Sequence, residues 1–202
     1  MTSIFEQWTS ADVADLIASY PLASIAPRSA PAEVTALLPL IAERDAEGHV
    51  NRLIGHMSRT NPLRAVLEAD SSARILFQGP QGYISPAVAG LRDWAPTWNF
   101  AQVRIDAEVV FEPAGLDAAL DVLVSHMEAG RDTPWAIDGL GPRAERLKTR
   151  IIAFSARPTR ISAVFKLGQD ETPETLSHIL RGLGDCDLAR WMRRFNAERL
   201  VA

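Results

Sequence analysis

"WAPTWNFAQVRIDAEVVF", residues 94–111, is the stretch that most clearly decides the fold. From Ala101 to Phe111, apolar and polar residues alternate, which is typical of a β-strand with one buried face. The buried face is predicted to carry Val103, Ile105, Ala107, Val109 and Phe111. The residues just before this strand supply indole, hydroxyl and amide groups. They either close the end of a barrel or form a platform for a flat ligand with polar edges.

Outward from this strand, the chain alternates short strand patterns with helices. Strands are predicted in "YPLASIAP", "EVTALLPLIAE", "NRLIGHM", "ARILFQGPQGYISP" (broken by a Gly-Pro-x-Gly turn), and "RIIAFSAR" and "RISAVFKL", joined across Pro158. Helices are predicted over Ser10–Ser19, after the Asn61 cap, over Leu116–Met127, over Pro173–Gly182 and over Asp187–Leu200. Six or seven strands with few intervening helices favour an α+β fold, mainly antiparallel β, built on a small closed sheet.

Composition excludes several classes of protein. The chain has 202 residues and a net charge of −4, which argues against broad nonspecific contact with nucleic acid or an anionic membrane. Cys186 is the only cysteine, so an internal disulfide is excluded and a reducing cytoplasm is expected. No secretory signal and no run of about 18 apolar residues is present in the sequence, so we expect a cytoplasmic protein without a membrane span.

Catalytic and metal motifs are missing from the sequence. The four histidines lie far apart and form no metal-binding motif, so no metal is predicted. No serine sits in a GxSxG motif, and the acids beside Cys186 disfavour its thiolate. We therefore predict no catalytic residue, and whether the protein is an enzyme stays open.

The tail "ETLSHILRGLGDCDLARWMRRFNAERL" raises the question of DNA binding because arginines crowd its second helix. However, Trp191, Met192 and Phe195 share one face of that helix and must be buried, which leaves the arginines as a flank. This pattern favours a docking helix, and direct DNA binding is not expected.

Three polar clusters lie at strand ends. In "GHMSRTNP", Gly55 to Pro62, hydroxyl and guanidinium donors precede a helix N-terminus, which is what a phosphate needs; the alternative is a helix cap beside an exposed arginine. "FQGPQGYISP" combines small residues with the ring of Tyr83, or is only a tight turn. In the opening stretch, Thr97 and Asn99 flank the flat Trp98 side chain, an arrangement that suits a polycyclic ring with imide edges.

In this order, "GHMSRTNP", "FQGPQGYISP", "PTWNF", "HMEAGRDTPWAID" and "FKLGQD" resemble motifs of the PaiB family of FMN-binding negative transcriptional regulators. The resemblance runs from about Phe5 to Leu183. It implies an FMN-binding split β-barrel related to pyridoxamine 5′-phosphate oxidase, with peripheral and C-terminal helices. It also implies a homodimer with flavin in clefts between the subunits. Residues 1–171 would form the barrel domain, and residues 172–202 a helical appendage packed on it.

The resemblance also implies a set of cofactor-binding residues. Those near the phosphate and ribityl chain would be His56, Ser58, Arg59 and Asn61, with Ser58 where the family usually has alanine. Those near the isoalloxazine would be Thr97, Trp98 and Asn99, together with Lys166 and Gln169 of the "FKLGQD" motif.

Three departures from the family pattern fall on its polar positions. Leu37 replaces a histidine, Gly168 a serine, and Asp170 an asparagine. Three functions therefore stay open: an FMN-binding regulatory homodimer, a flavin-dependent oxidoreductase, and a divergent dimeric scaffold that has lost FMN.

Overall fold

A computed structural model describes residues 3–29 and 34–200. Within these residues the α-helices are α1 Ser10–Ser19, α2 Pro62–Ala69, α3 Pro86–Ala89, α4 Leu116–Glu128, α5 Arg143–Lys148, α6 Pro173–Leu183, α7 Asp187–Phe195 and α8 Ala197–Leu200. Single 3₁₀ turns span Ile4–Glu6, Pro113–Gly115 and Ile137–Leu140. The start of the strand predicted in "EVTALLPLIAE", at Glu33, lies outside the described residues.

The strands form one seven-stranded antiparallel sheet. They are β1 Leu22–Pro27, β2 Ala36–Pro39, β3 Ile41–Arg44, β4 Val50–Ser58, β5 Ser72–Ile84, β6 Thr97–Phe111 and β7 Ile151–Lys166. Their order is β2-β1-β5-β6-β7-β4-β3, so the short strands β2 and β3 are the edges.

Strand β6 confirms the alternation of buried and exposed residues predicted between Ala101 and Phe111. Val103, Ile105, Ala107 and Val109 are all buried, because a period of two places them on one face. The strand begins at Thr97 and not at Ala101, so the aromatic and amide residues expected at its lip belong to the strand itself.

Two predicted breaks are wrong. The Gly-Pro-x-Gly segment at Gly79 continues strand β5 without a turn, and Gly79 and Gly82 both keep an extended backbone with no positive φ. Pro158 lies inside the 16-residue strand β7 and does not divide it. Proline and glycine therefore did not mark the ends of strands here, since neither adopts a conformation that the sheet excludes.

Two other boundaries also differ from the sequence prediction. "EVTALLPLIAE" forms two strands that are interrupted at Leu40, and the last predicted helix ends at Phe195 before the short α8. In contrast, α1 has the predicted bounds, and α2 begins with Pro62 after an Asn61 cap, as expected. Helix α4 is followed by Gly130 with φ of 79°, which fits the predicted stop.

The chain divides into two compact units. Unit 1 comprises Met1–Thr9, Gln78–Gln102 and Ala163–Ala202, and unit 2 comprises Ser10–Phe77 and Val103–Ser162. In unit 1, the rings of Phe165, Trp191 and Phe195 stack on one another with centroids 4.6–6.2 Å apart. The predicted division at residue 171 stays a prediction. Among the described residues, no helix has the length and apolar character needed to cross a membrane.

In unit 2, the pairing of β4 with β7 fixes the surroundings of His56. His56 lies opposite Ala153, and Ser58 lies opposite Ile151 at the start of β7. Residues two apart on a strand share a face, so Ile54, His56 and Ser58 project to the same side of the sheet. Helix α4 covers this side through Leu116 and Ala119, which form a small core with Ile54 and Ala153.

Candidate functional site

Strand β4 delivers the first predicted site residue, His56, into an apolar environment. The His56 Nδ1 atom is buried and has no hydrogen-bond partner among the described residues. Burial lowers the pKa of His56 below its ordinary value, because desolvation penalises the charged imidazolium. The imidazole is therefore neutral at neutral pH, and it borders a cavity whose other walls are almost entirely hydrocarbon.

The turn after β4 gathers the next three predicted residues. The hydroxyl oxygens of Ser58 and Thr60 are 2.9 Å apart, and the Thr60 N–H donates to Ser58 Oγ. Arg59 is exposed, and no hydrogen bond or ion pair of its guanidinium occurs within residues 3–29 and 34–200. Asn61 caps α2 by accepting the Leu63 N–H at 3.0 Å. The turn thus presents hydroxyl and guanidinium donors beside a helix N-terminus, a donor set that suits a phosphate.

In unit 1, Trp98 presents a flat aromatic surface. Its side chain is 52% exposed, and so is that of Tyr83. The two ring centroids are 6.0 Å apart with an interplanar angle of 58°. Tyr83 was noticed in the sequence but left out of the predicted site residues. The alternation of β5 continues through Tyr83 if no turn is assumed at Gly79. This alternation is the sequence signal that would have placed Tyr83 among the site residues.

Lys166, at the end of β7, is held beside the start of β6. Its Nζ donates to Thr97 Oγ1 and lies 5.9 Å from the centroid of the Phe5 ring. The structure therefore brings together two of the predicted residues, Thr97 and Lys166, and places an ammonium group in the same compact unit as Trp98.

Asn99 and Gln169 are engaged within the protein. Asn99 is 1% exposed and its Nδ2 donates to the sulfur of Met192 at 3.6 Å. As the neighbour of Trp98 on a strand, it projects to the opposite face. The Gln169 amide donates to the Phe165 carbonyl at 2.6 Å and accepts the Leu167 N–H at 2.7 Å, which fixes the end of β7.

The three departures from the family pattern have different surroundings. Gly168 has φ of 85°, and a Cβ there would lie 3.1 Å from side-chain atoms of both Leu176 and Met192, so a larger residue would be strained in this turn. Asp170 is exposed in the same turn. Leu37 is 66% exposed on the edge strand β2.

A group that the sequence did not reveal is the charged network of Glu112. Its carboxylate accepts Ser155 Oγ–H and the Arg52 guanidinium, the latter at 2.7 Å. The hydrogen bond from Ser155, followed by that from Arg52, holds the pKa of Glu112 below its ordinary value although burial opposes this. The network lines a cavity of about 380 Å³ that also contains Glu108 and Arg157.

Asp45, Glu47 and His49 converge at the tip of the β3–β4 hairpin, with candidate metal-ligand atoms within 4.8 Å of one another. The Asp45 carboxylate accepts the backbone N–H groups of Glu47 at 3.1 Å and His49 at 2.8 Å. These hydrogen bonds account for the convergence as turn geometry.

The predicted residues thus fall into two sets. In unit 2, the turn with Ser58, Arg59 and Asn61 provides donors for a phosphate. In unit 1, Trp98 provides an aromatic face and Lys166 a cation. Both sets fit parts of FMN, a phosphorylated cofactor with a tricyclic ring. The assignment of individual residues to the cofactor stays a prediction.

Comparison with known proteins finds one relative by sequence and several proteins of similar fold by structure. The protease synthase and sporulation protein PAI 2 of Bacillus subtilis (strain 168) is 28% identical over 133 residues, which is 65% of this chain and 64% of that protein. The match thus spans less than two thirds of this relative. The flavocytochrome Anf3 of Azotobacter vinelandii superposes with a TM-score of 0.56 and 16% identity, covering 80% of this chain and 69% of that one. The FAD and heme binding protein of Mycobacterium smegmatis gives 0.56 and 15%, covering 85% and 78%.

These likenesses confirm the predicted fold class, an α+β split barrel dominated by antiparallel strands. A family model described as "Putative FMN-binding domain" matches residues 1–160 of the 202. The resemblance to the PaiB family is thereby confirmed, and FMN is supported as the cofactor. This chain belongs to the PaiB-like family of FMN-binding domains.

Proposed function

We propose that this protein is a homodimeric FMN-binding regulator in which the turn after β4 holds the cofactor phosphate. The observation that carries this proposal is the Arg59 guanidinium, which is exposed and without a side-chain partner among the described residues, in the turn that also holds the Ser58–Thr60 hydroxyl pair. Hydrogen bonds to a phosphate from such groups are charge-assisted and therefore strong. The neutral, buried His56 is less suited than Arg59 to bind an anion.

Unit 1, taken by itself, offers groups for a flavin ring: Trp98 would contact an isoalloxazine, and Lys166 would stabilise negative charge on its polar edge. The exposed indole of Trp98 and the fixed position of Lys166 against Thr97 support these roles. FMN supplies electron-transfer chemistry when it is bound, and the protein orients and shields it.

The dimer is supported by an exposed apolar edge in unit 2. Leu22 and Leu37, on the paired strands β1 and β2, are 56% and 66% exposed. Leu37 lies on β2, the strand at the end of the sheet order, where an unpaired edge needs cover. Sedimentation velocity at micromolar concentration tests this part, and a monomer both with and without FMN contradicts it.

The regulatory role is supported by the similarity to the PAI 2 protein, and we propose that it acts through a protein partner in the cytoplasm. The tail arginines are already engaged within unit 1. Arg190 pairs with Asp187, Arg193 donates to the Gly184 carbonyl at 3.3 Å, and Arg194 lies over Trp191. An electrophoretic mobility assay at physiological salt is expected to show no sequence-selective DNA binding; selective binding would replace the indirect role by a direct one.

Flavin titration tests the cofactor proposal. Arg59→Ala is expected to weaken FMN binding about 10- to 100-fold, as the loss of a charged hydrogen bond is worth about 1.5–3 kcal/mol. Lys166→Ala is expected to weaken it less, because Lys166 does not contact the phosphate. Arg160→Ala, an exposed arginine on β7, is the matched control and should bind as the unaltered protein does.

Three outcomes separate the functions. Equal FMN affinities for the Arg59 and Lys166 variants would contradict the phosphate assignment. A colourless protein that cannot be loaded with excess FMN is a scaffold. Bleaching of the bound flavin by NADH or NADPH identifies an oxidoreductase.

A further inference from the structure

A second arginine, Arg150, lies directly beside the turn that follows β4. The last pair of the β4–β7 ladder joins Ser58 to Ile151. One residue further along, the Arg59 N–H donates to the Arg150 carbonyl at 2.9 Å, so the antiparallel register continues and sets Arg59 opposite Arg150. Residues directly opposite each other in an antiparallel pair have Cβ atoms about 4.5–5.5 Å apart and share a face. The backbone therefore holds these two arginines side by side.

No acid compensates either guanidinium group. Arg59 and Arg150 are both exposed, and over the residues that the structure describes neither side chain makes a hydrogen bond or an ion pair. Their own segments, residues 56–64 and 146–154, contain no aspartate or glutamate. Like charges directly opposite each other on neighbouring strands are destabilising. The opposed pair therefore lowers the stability of the protein alone, and an anion bound by both side chains would relieve the repulsion.

The cations next to this pair in the sequence differ from it, because each already has a carboxylate. Arg64 pairs with Glu68 at 2.8 Å. Lys148 pairs with Asp117 at 2.7 Å and with Glu145 at 3.1 Å. The opposed arginines, in contrast, keep their full charge for an external anion.

Two guanidinium groups match the charge and the shape of a phosphate monoester. Each guanidinium presents a planar set of N–H donors that can bind two oxygen atoms at once. A phosphate monoester carries a charge of about −1.5 to −2 at pH 7 and three acceptor oxygens. A sulfate monoester of the same shape carries a single charge and would neutralise only one of the two arginines. The pair is therefore suited to distinguish a dianion from a monoanion.

We propose that Arg59 and Arg150 bind the phosphate of FMN together, and that Arg150 makes the site selective for a flavin with a doubly charged ester group. The inference rests on the proposed function for the identity of the cofactor, and it adds a second cation and a basis for selectivity. Arg150 lies outside the motifs that resemble the PaiB family, and the strand register is what reveals it.

Three flavins that differ only at the 5′ position test the selectivity: FMN, riboflavin 5′-sulfate and riboflavin. In fluorescence titrations, Arg150→Gln is expected to weaken FMN binding about tenfold, because one charge-assisted contact is lost. Binding of the sulfate ester should weaken by less than about threefold, since Arg59 alone can neutralise it, and riboflavin binding should not change. The advantage of FMN over the sulfate ester therefore shrinks, which a purely structural role of Arg150 would not cause.

Two further variants control for charge and for folding. Arg160→Gln removes the same charge from an exposed position on β7 and should leave all three affinities as they are. Arg150→Lys keeps the positive charge but loses the planar donors, so it should restore part of the FMN affinity.

A probe without a flavin ring separates this inference from the proposed function. Methyl phosphate, added at millimolar concentration to the unaltered ¹⁵N-labelled protein, is expected to shift the side-chain Nε–H resonances of both Arg59 and Arg150. The corresponding resonance of Arg160 should stay in place.

Either of two results would overturn the inference. One is an Arg150→Gln variant that binds FMN as tightly as the unaltered protein does. The other is a methyl phosphate titration in which the Arg150 resonance does not move. If methyl phosphate shifts both resonances but FMN does not bind, the two-arginine site is supported and the proposed cofactor is contradicted.

Discussion

The side of β4 and β7 that faces α4 borders two cavities. Each cavity contains a titratable group, but one group is charged and the other is neutral. Along β4, Arg52, Ile54 and His56 occupy successive positions on this side. At the Arg52 end, Glu112 is bonded by two donors and is charged. At the His56 end, the imidazole is neutral and has a buried nitrogen without a hydrogen-bond partner in the described part of the chain. Ile54, which packs against Leu116 and Ala119, lies between these two positions along the strand.

Both groups have a lowered pKa, but the causes differ. Hydrogen bonds from Ser155 and Arg52 stabilise the charged form of Glu112, whereas burial destabilises the charged form of His56. A satisfied group of the first kind is a structural element, since its interactions are complete within the protein. An unsatisfied group of the second kind costs stability, because its buried nitrogen has lost water without gaining a hydrogen bond.

The largest effect is expected at Ile54, which lies between Arg52 and His56 on strand β4. Ile54 is 8% exposed, and Ile54→Ala should reduce the free energy of unfolding by about 2–4 kcal/mol, because it removes buried methyl groups from the core beneath α4. Urea denaturation followed by circular dichroism measures this. Val110→Ala, on an exposed side chain of β6, is the control and should change stability by less than about 0.5 kcal/mol. Equal losses for the two variants would mean that the packing of Ile54 against α4 contributes nothing to stability.

The Glu112 network is expected to give the next largest effect. Glu112→Ala leaves the Ser155 hydroxyl, which is 8% exposed, and the Arg52 guanidinium without this acceptor. The expected loss is about 1–3 kcal/mol in the same assay. Glu43→Ala removes the other carboxylate on Arg52, at 3.3 Å in a more exposed pair, and should cost less than about 1 kcal/mol. A larger loss at Glu43 would reverse the assignment of the principal partner.

The two cavities differ in the pH range over which their titratable groups change the stability of the protein. His56 in the unfolded chain binds a proton below about pH 6.5, while its lowered pKa keeps the folded form neutral to a lower pH. Stability is therefore complete above 6.5, falls as the pH drops below it, and stops falling at the folded pKa. Glu112, with its lowered pKa, contributes stability above about pH 4.5 that is lost as the pH falls through its folded value.

Unfolding midpoints at pH 7.5 and 5.5 test the His56 window. The decrease between these two values should be smaller in His56→Leu, which cannot take up a proton in either state. Glu112→Gln should instead reduce the loss below pH 4.5. If His56→Leu keeps the full decrease between 7.5 and 5.5, another group is responsible for it.

Features of the fold that depend on neighbouring residues could be predicted from the sequence, and features that depend on distant segments could not. The alternation in β6 and the Asn61–Pro62 helix start are local, and both were predicted correctly. Pro158 and the Gly79 segment were misread as breaks, because the sheet imposes an extended backbone that these residues also tolerate.

The candidate site was predictable only as residue types. The motifs named Asn99 and Gln169, but their hydrogen bonds to Met192 and to the Phe165 carbonyl depend on packing between distant segments. Glu112 meets Arg52 across 60 positions, and no local pattern signals such a pair.

The smallest effect is expected at Arg157, which lines the charged cavity from β7 and is exposed. Within the described residues no hydrogen bond or ion pair of its side chain occurs, whereas Arg52 in the same cavity bonds two carboxylates. Arg157→Gln should therefore alter the free energy of unfolding by no more than about 0.5 kcal/mol, while Arg52→Gln should lower it by about 1–3 kcal/mol. Urea denaturation at low and high salt measures both. A salt-sensitive loss above about 1 kcal/mol for Arg157→Gln would show that its guanidinium stabilises the carboxylates of this cavity through longer-range attraction, because added salt screens the attraction between separated, solvent-exposed charges.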